Sequence, residues 1–252
     1  MRTLTYAVPT SLWLIAVAVW LLWAAAARRL NTGPRGDVES GLVWRFLRLY
    51  GRLMHRVRYE GLENLPDSTA PGPLLVVSNH TAGVDPVLVQ AACPFFIRWM
   101  MAKDMKLDAL GWLWAWTEII TVDRDGREVV AAREALRHLQ NGGVIGIFPE
   151  GTLERPPRSV MPFLPGVGLI VKRAGVRVLP VIIEGTPQVD PAWGSLWRRS
   201  RSVVAFKPVI DYTGSGLKPH EIADDLRRRY VEWTGWPARD PPKELFPGGK
   251  GK

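Results

Sequence analysis

Residues 74–86 read Leu74-Leu75-Val76-Val77-Ser78-Asn79-His80-Thr81-Ala82-Gly83-Val84-Asp85-Pro86. A short apolar run passes through a polar turn into Asp-Pro, which is the pattern of a buried strand delivered into a helix start. Asp before Pro favours that start, because the carboxylate caps free N–H groups and Pro occupies the first helical position. The same grammar recurs downstream. Strand-like runs fall at 74–78, 97–101, 119–122, 144–148, 178–183 and 203–206, and helix-like stretches at 86–92, 110–116, 127–140, 166–174 and 219–233. Continuous apolar strands alternating with helices predict an α/β fold, a mostly parallel central sheet flanked by helices. Residues 59–236 are expected to form this domain, and the Pro-, Gly- and Lys-rich stretch 237–252 a flexible tail.

Composition narrows the setting. The 252 residues suffice for one domain with a sizeable core and a short appendage. A hydrophobic content of 47% is too high for disorder and too low for a polytopic membrane protein. Twelve tryptophans suit a membrane–water boundary. The formal charge of +9 suits an anionic partner: phospholipid headgroups, nucleic acid or a phosphorylated substrate. Nucleic acid is the poorer fit, since the basic residues mix with an apolar anchor and no nucleic-acid module is recognisable. Cys93 is the sole cysteine, which excludes an intramolecular disulfide and a Cys-based zinc site, and no metal or cofactor is expected. Between Ala92 and Pro94, Cys93 reads as a packed small hydrophobe.

The N-terminal segment carries no charged side chain from Thr3 to Ala27. As a helix it would extend about 37 Å, enough for a hydrocarbon core of roughly 30 Å. Residues 1–30 are therefore expected to form a membrane-anchoring helix. Arg28, Arg29 and Arg35 follow it, against Arg2 before it, which places the rest of the chain on the cytoplasmic face. A cleaved signal peptide is the weaker reading, because the apolar stretch is long and the basic charge comes after it. Within residues 31–58, apolar positions from Val43 to Val57 recur at three- and four-residue steps, flanked by arginines. Two readings stand: a helix lying in the membrane interface, with Trp44 and Tyr50 at headgroup level, or a helix packed on the domain.

The polar turns after the apolar runs carry the chemistry. His80 follows one strand, and Asp85 follows His80 by five residues. Gly83 lets the loop turn back, so a carboxylate at the helix start can orient the imidazole and stabilise its charged form. The second ring nitrogen is then free to take a proton from a substrate hydroxyl. Read alone, each residue also has a plain explanation, a capped helix and a histidine at a strand end. Phe148-Pro149-Glu150-Gly151-Thr152 follows a second strand. No Gly-x-Ser-x-Gly elbow, His-Glu-x-x-His or phosphate-binding Gly-x-x-x-x-Gly-Lys loop occurs.

These blocks resemble the glycerolipid acyltransferase family, which includes 1-acylglycerol-3-phosphate acyltransferases. His-x-x-x-x-Asp is present as His80 and Asp85 with Asn79 before it, and Phe-Pro-Glu-Gly-Thr as residues 148–152. An Arg after an apolar strand corresponds to Arg124, and a Pro-containing strand to Val178-Leu179-Pro180-Val181. The likeness spans about residues 59–215. It implies that His80 deprotonates a glycerol hydroxyl that attacks the thioester of acyl-CoA or acyl-carrier protein, with Asp85 orienting His80. It places Asn79, Arg124, Glu150, Gly151 and Thr152 at the acceptor, a lysophospholipid, and Lys103 is a further candidate for its phosphate. The expected product from lysophosphatidic acid is phosphatidic acid. There is one departure: many members carry a basic residue after Glu-Gly-Thr, whereas Leu153 stands here and the basic groups come at Arg155, Arg158 and Lys172. Two other readings remain: a remodelling acyltransferase for another lysolipid or amino-acid lipid, and an inactive lipid-binding membrane protein.

Overall fold

The computed structural model describes residues 10–123 and 128–240. Two helices come first, α1 (Thr10–Leu30) and α2 (Val38–Met54). The domain follows as β1 (Arg58–Glu60), β2 (Leu74–Ser78), α3 (Asp85–Ala92), β3 (Arg98–Ala102), α4 (Gly111–Thr117), β4 (Ile120–Val122), α5 (Glu128–Gln140), β5 (Val144–Ile147), α6 (Gly166–Ala174), β6 (Arg177–Glu184), β7 (Val203–Phe206) and α7 (Pro219–Thr234). The seven strands form one sheet in the order β1-β7-β6-β2-β5-β3-β4. Every neighbouring pair is parallel except β6 and β7.

The central strands explain why the apolar runs are continuous. Side chains alternate between the two faces of a strand, and here both faces are covered. Leu75 and Val77 of β2 pack with Ile145 and Val178 under α5, α6 and α7, among Ala135, Ile170 and Leu226. Leu74 and Val76 enter the opposite layer with Leu88, Val89 and the fully buried Cys93. Burial pushes the Cys93 thiol well above its usual range, so it is a packing residue. At Pro180, where a strand N–H is missing, the fully buried Tyr230 of α7 enters the ladder. Its hydroxyl donates to Val77 O at 2.6 Å and accepts from Val181 N–H at 3.1 Å, tying α7 to β2 and β6.

Helix α1 is the one helix among the described residues long and apolar enough to cross a membrane, with 20 such residues of mean hydropathy 1.7 and none buried. Helix α2 begins five residues earlier than its apolar spacing suggests, because Asp37 accepts from Ser40 N–H at 2.7 Å and caps it. One face of α2 is buried, with Gly51 against Leu88 of α3 and Gly41 against Leu30 at the end of α1. The opposite face exposes Leu42, Phe46, Leu49 and Leu53 at helical spacing. Tyr50 does not reach outward as expected. Its hydroxyl donates to Leu196 O at 2.7 Å and lies 2.9 Å from His55 Nε2, inside the domain contact. The expected tail also begins in ordered pairing, since Val160 N–H donates to Pro237 O and Arg239 N–H to Val160 O. Residues 241–252 lie outside the described residues.

Candidate active site

The connection from β2 to β3 runs through α3 on one face of the sheet, and that from β5 to β6 through α6 on the other. β2 and β5 are neighbours, so their carboxyl ends part at a topological switch point, where α/β sheets leave a ligand crevice. His80 follows β2 there, and Glu150 follows β5.

Asp85 is fully buried, and its Oδ2 lies 3.0 Å from His80 Nδ1. The same oxygen accepts the backbone N–H groups of Thr81 at 2.6 Å and Ala82 at 2.8 Å, and the Thr81 hydroxyl reaches Oδ1 at 3.2 Å. This corrects the sequence reading of Asp85 as a helix cap. Val84 occupies the cap position, and the carboxylate turns back into the loop rather than forward over α3. Gly83 also acts differently from expectation. It shows no positive φ, and its role is close approach: a Cβ there would stand 2.7 Å from Ala192 O. With Nδ1 committed to Asp85, Nε2 is the ring nitrogen left for proton transfer, and the side chain is 20% exposed.

The imidazole plane is set by a stack of rings. Phe148 lies 3.9 Å from His80 between centroids at an interplanar angle of 15°, and Trp99 stacks on Phe148 at 4.8 Å. Trp99 lies flat on β5 because Gly146 leaves room, where a Cβ would come within 2.6 Å of the ring.

Behind the histidine lies a buried polar layer. The His80 N–H donates to Glu150 Oε2 at 3.2 Å, and Glu150 Oε1 has no partner among the described residues. Asn79 is held on both sides: Nδ2 donates to Ile183 O at 2.9 Å and Glu154 Oε2 at 3.2 Å, and Oδ1 accepts from Ile183 N–H at 2.8 Å. Asn79 thus ties the His80 loop to β6 and is itself buried. Glu154 closes the clamp, donating its N–H to His80 O at 2.5 Å and accepting from Ser159 N–H at 3.2 Å. Thr81 and Thr186 share a hydroxyl–hydroxyl contact. No local pattern marks Glu154 or Thr186, since both act across long sequence separations.

The remaining expected residues separate into two groups. Gly151, at φ +65°, and the half-buried Thr152 lie in the turn after β5, beside Glu150. Lys103 follows β3 and pairs with Asp123 at 3.3 Å, and the neighbouring Lys106 donates to Thr121 Oγ1 at 3.2 Å. Both lie at the carboxyl ends of β3 and β4. Arg124 falls outside the described residues. Of the basic residues beyond Leu153, Arg155 donates to Thr81 O at 3.1 Å and Glu154 O at 2.8 Å, and so braces the loop. Arg158 pairs with Glu184 at 2.5 Å, and Lys172 is turned to Leu217 O on the far layer.

Burial holds the Glu150 carboxyl well above its ordinary range, and the nearby Glu154 and Asp85 charges push the same way against the His80 N–H. A raised folded value means that the unfolded chain releases the proton first as pH rises. The Glu150 contribution to stability is therefore greatest in acid and is lost as pH climbs from about 4–5 toward the folded value. Glu150→Gln should gain stability over the parent protein between acid and neutral pH. Denaturant unfolding across that range checks this, and a difference that does not change with pH contradicts it.

A histidine oriented by a buried carboxylate at the switch point of an α/β sheet is an arrangement able to take a proton from a hydroxyl. The chain belongs to the acyltransferase family, whose model matches residues 56–184. It is 25% identical over 194 residues to a chloroplastic 1-acyl-sn-glycerol-3-phosphate acyltransferase of Arabidopsis thaliana, covering 75% of this chain and 52% of that one. A 1-acyl-sn-glycerol-3-phosphate acyltransferase of Borreliella burgdorferi is 30% identical over 132 residues, 50% of each chain. The chain spans about half the length of these relatives. The crystal structure of the 1-acyl-sn-glycerophosphate acyltransferase PlsC from Thermotoga maritima shares the fold, with a TM-score of 0.60 at 24% identity, covering 78% of this chain and 82% of that one.

Proposed function

We propose that the protein is a membrane-bound O-acyltransferase that moves a fatty acyl group from acyl-CoA or acyl-carrier protein to the hydroxyl of lysophosphatidic acid, giving phosphatidic acid. The observation that carries this reading is the 3.0 Å contact between His80 Nδ1 and the buried Asp85. His80 Nε2 removes the acceptor's hydroxyl proton as its oxygen attacks the thioester carbonyl. The carbon–oxygen bond forms, the carbon–sulfur bond breaks, and the imidazolium returns its proton to the departing thiolate. Asp85 stabilises the imidazolium throughout. Gly151 and Thr152 border the acceptor, the buried Glu150 holds the His80 backbone beside them, and Lys103 with Arg124 supplies cations for its phosphate. The exposed helix α1 and the apolar stripe of α2 hold the site at the bilayer from which a lysolipid arrives, and Arg28, Arg29 and Arg35 set the domain on the cytoplasmic side.

One observation favours a second reading. Leu153 replaces the basic residue common after Glu-Gly-Thr, and Arg155 turns its Nη1 to Thr81 O and Glu154 O, with Nη2 buried and without a partner among the described residues. An acceptor lacking a phosphomonoester, another lysolipid or an amino-acid lipid, would need no cation there. A relative of this chain, 26% identical over 186 residues, is the N-acylphosphatidylethanolamine synthase of Arabidopsis thaliana. Free-thiol release from acyl-CoA, measured with a panel of acceptors, separates the readings. Lysophosphatidic acid should give the highest kcat/KM, and a better rate with a phosphodiester or phosphate-free acceptor would transfer the assignment to the second reading.

A further inference from the structure

We propose that the loop Trp197–Arg201 is a second bilayer contact that reads anionic phospholipid headgroups, extending the apolar face of α2. Trp197 is 80% exposed and stands at the end of a 3-10 turn, Ala192–Trp197. Arg198, Arg199 and Arg201 follow it, all exposed, and none is in an ion pair among the described residues. An exposed indole beside unpaired arginines matches the boundary between acyl chains and phosphate groups.

The backbone of this loop is held rigidly while its charges point outward. Ser200 N–H donates to Met54 O at 3.1 Å, and Ser202 N–H to His55 O at 3.0 Å. The fully buried His55 has Nδ1 2.8 Å from Ser200 Oγ and Nε2 2.9 Å from Tyr50 Oη, whose hydroxyl closes the chain on Leu196 O. These bonds fasten the loop to the C-terminal end of α2, directly after Leu53, the last residue of the exposed stripe. Arg45, Arg48 and Arg52 lie along the same helix at three- and four-residue steps, and Arg56 follows just past its end. The aromatic–basic loop therefore adjoins the end of the α2 stripe, and the positive charge of loop and helix together fits an anionic bilayer.

This inference rests on the reading of α2 as an interfacial helix, and the test separates the two. Cys93 is fully buried, so Trp197→Cys introduces a single accessible thiol for an environment-sensitive fluorophore. The full chain is reconstituted in vesicles of phosphatidylcholine alone or of phosphatidylcholine with phosphatidylglycerol. The probe should be shielded from acrylamide in the anionic vesicles, and raised salt should reverse the shielding. Arg198→Gln, Arg199→Gln and Arg201→Gln combined should abolish it, because each arginine near such a surface strengthens contact about fivefold. Equal quenching in both vesicles, or shielding that survives the triple variant, overturns the inference. A probe at Phe46→Cys reports on α2 by itself: shielding in both vesicles supports the underlying reading, and full quenching in both sinks that reading instead.

Discussion

His80→Ala should lower acyl transfer by on the order of 10²–10⁴-fold, the contribution of a positioned general base. The fold has little reason to follow. Asp85 keeps its bonds from the Thr81 and Ala82 N–H groups and from the Thr81 hydroxyl, so the buried carboxylate is not left unpartnered. The His80 N–H and C=O that meet Glu150 and Glu154 belong to the backbone and remain. Thermal unfolding should shift little while free-thiol release disappears. A variant that retains full activity would show that the proton leaves by another route, and the proposed mechanism would fall with it.

Asp85→Asn should cost a similar factor, on the order of 10²–10⁴-fold, with the loss in kcat rather than in KM for the thioester. The amide oxygen can take the place of Oδ2 and accept the same N–H groups, so the loop keeps its shape. The negative charge is gone, however, and the imidazolium formed in the transition state loses its counter-charge in a buried setting. A purely structural role for Asp85 predicts the reverse, lowered stability with near-normal turnover of the folded fraction. Measuring kcat and unfolding on the same preparation distinguishes them, and activity within tenfold of the parent would assign Asp85 to loop structure alone.

Much of this arrangement was legible in the chain, and the misses are instructive. The runs at 74–78, 166–174 and 203–206 coincide with β2, α6 and β7, since buried strands and capped helices advertise themselves locally. β1 was invisible: Arg58, Tyr59 and Glu60 form a short edge strand exposed at both ends, with no apolar run to betray it. The antiparallel setting of β7 against β6 was equally hidden, because strand direction depends on where the intervening chain returns. Asp85 looked like a cap because Asp-Pro usually is one. Its carboxylate turns back because His80 Nδ1 and two loop N–H groups offer it more partners than the start of α3 does.

The sequence by itself determined the strand–helix alternation and the apolar N-terminal helix, because both are written in local runs along the chain, and it offered His80 with Asp85 as a pair beside the plainer reading of a capped helix. Only the tertiary structure decided what surrounds the histidine. The pairing of β2 with β5 brings Phe148 onto the imidazole face and Glu150 to the His80 N–H, about 70 residues away in sequence. The Asn79 clamp joins β6 and Glu154, and the Trp197 loop meets α2 across nearly the whole domain. Such contacts follow from strand order and layer packing, which no local pattern encodes.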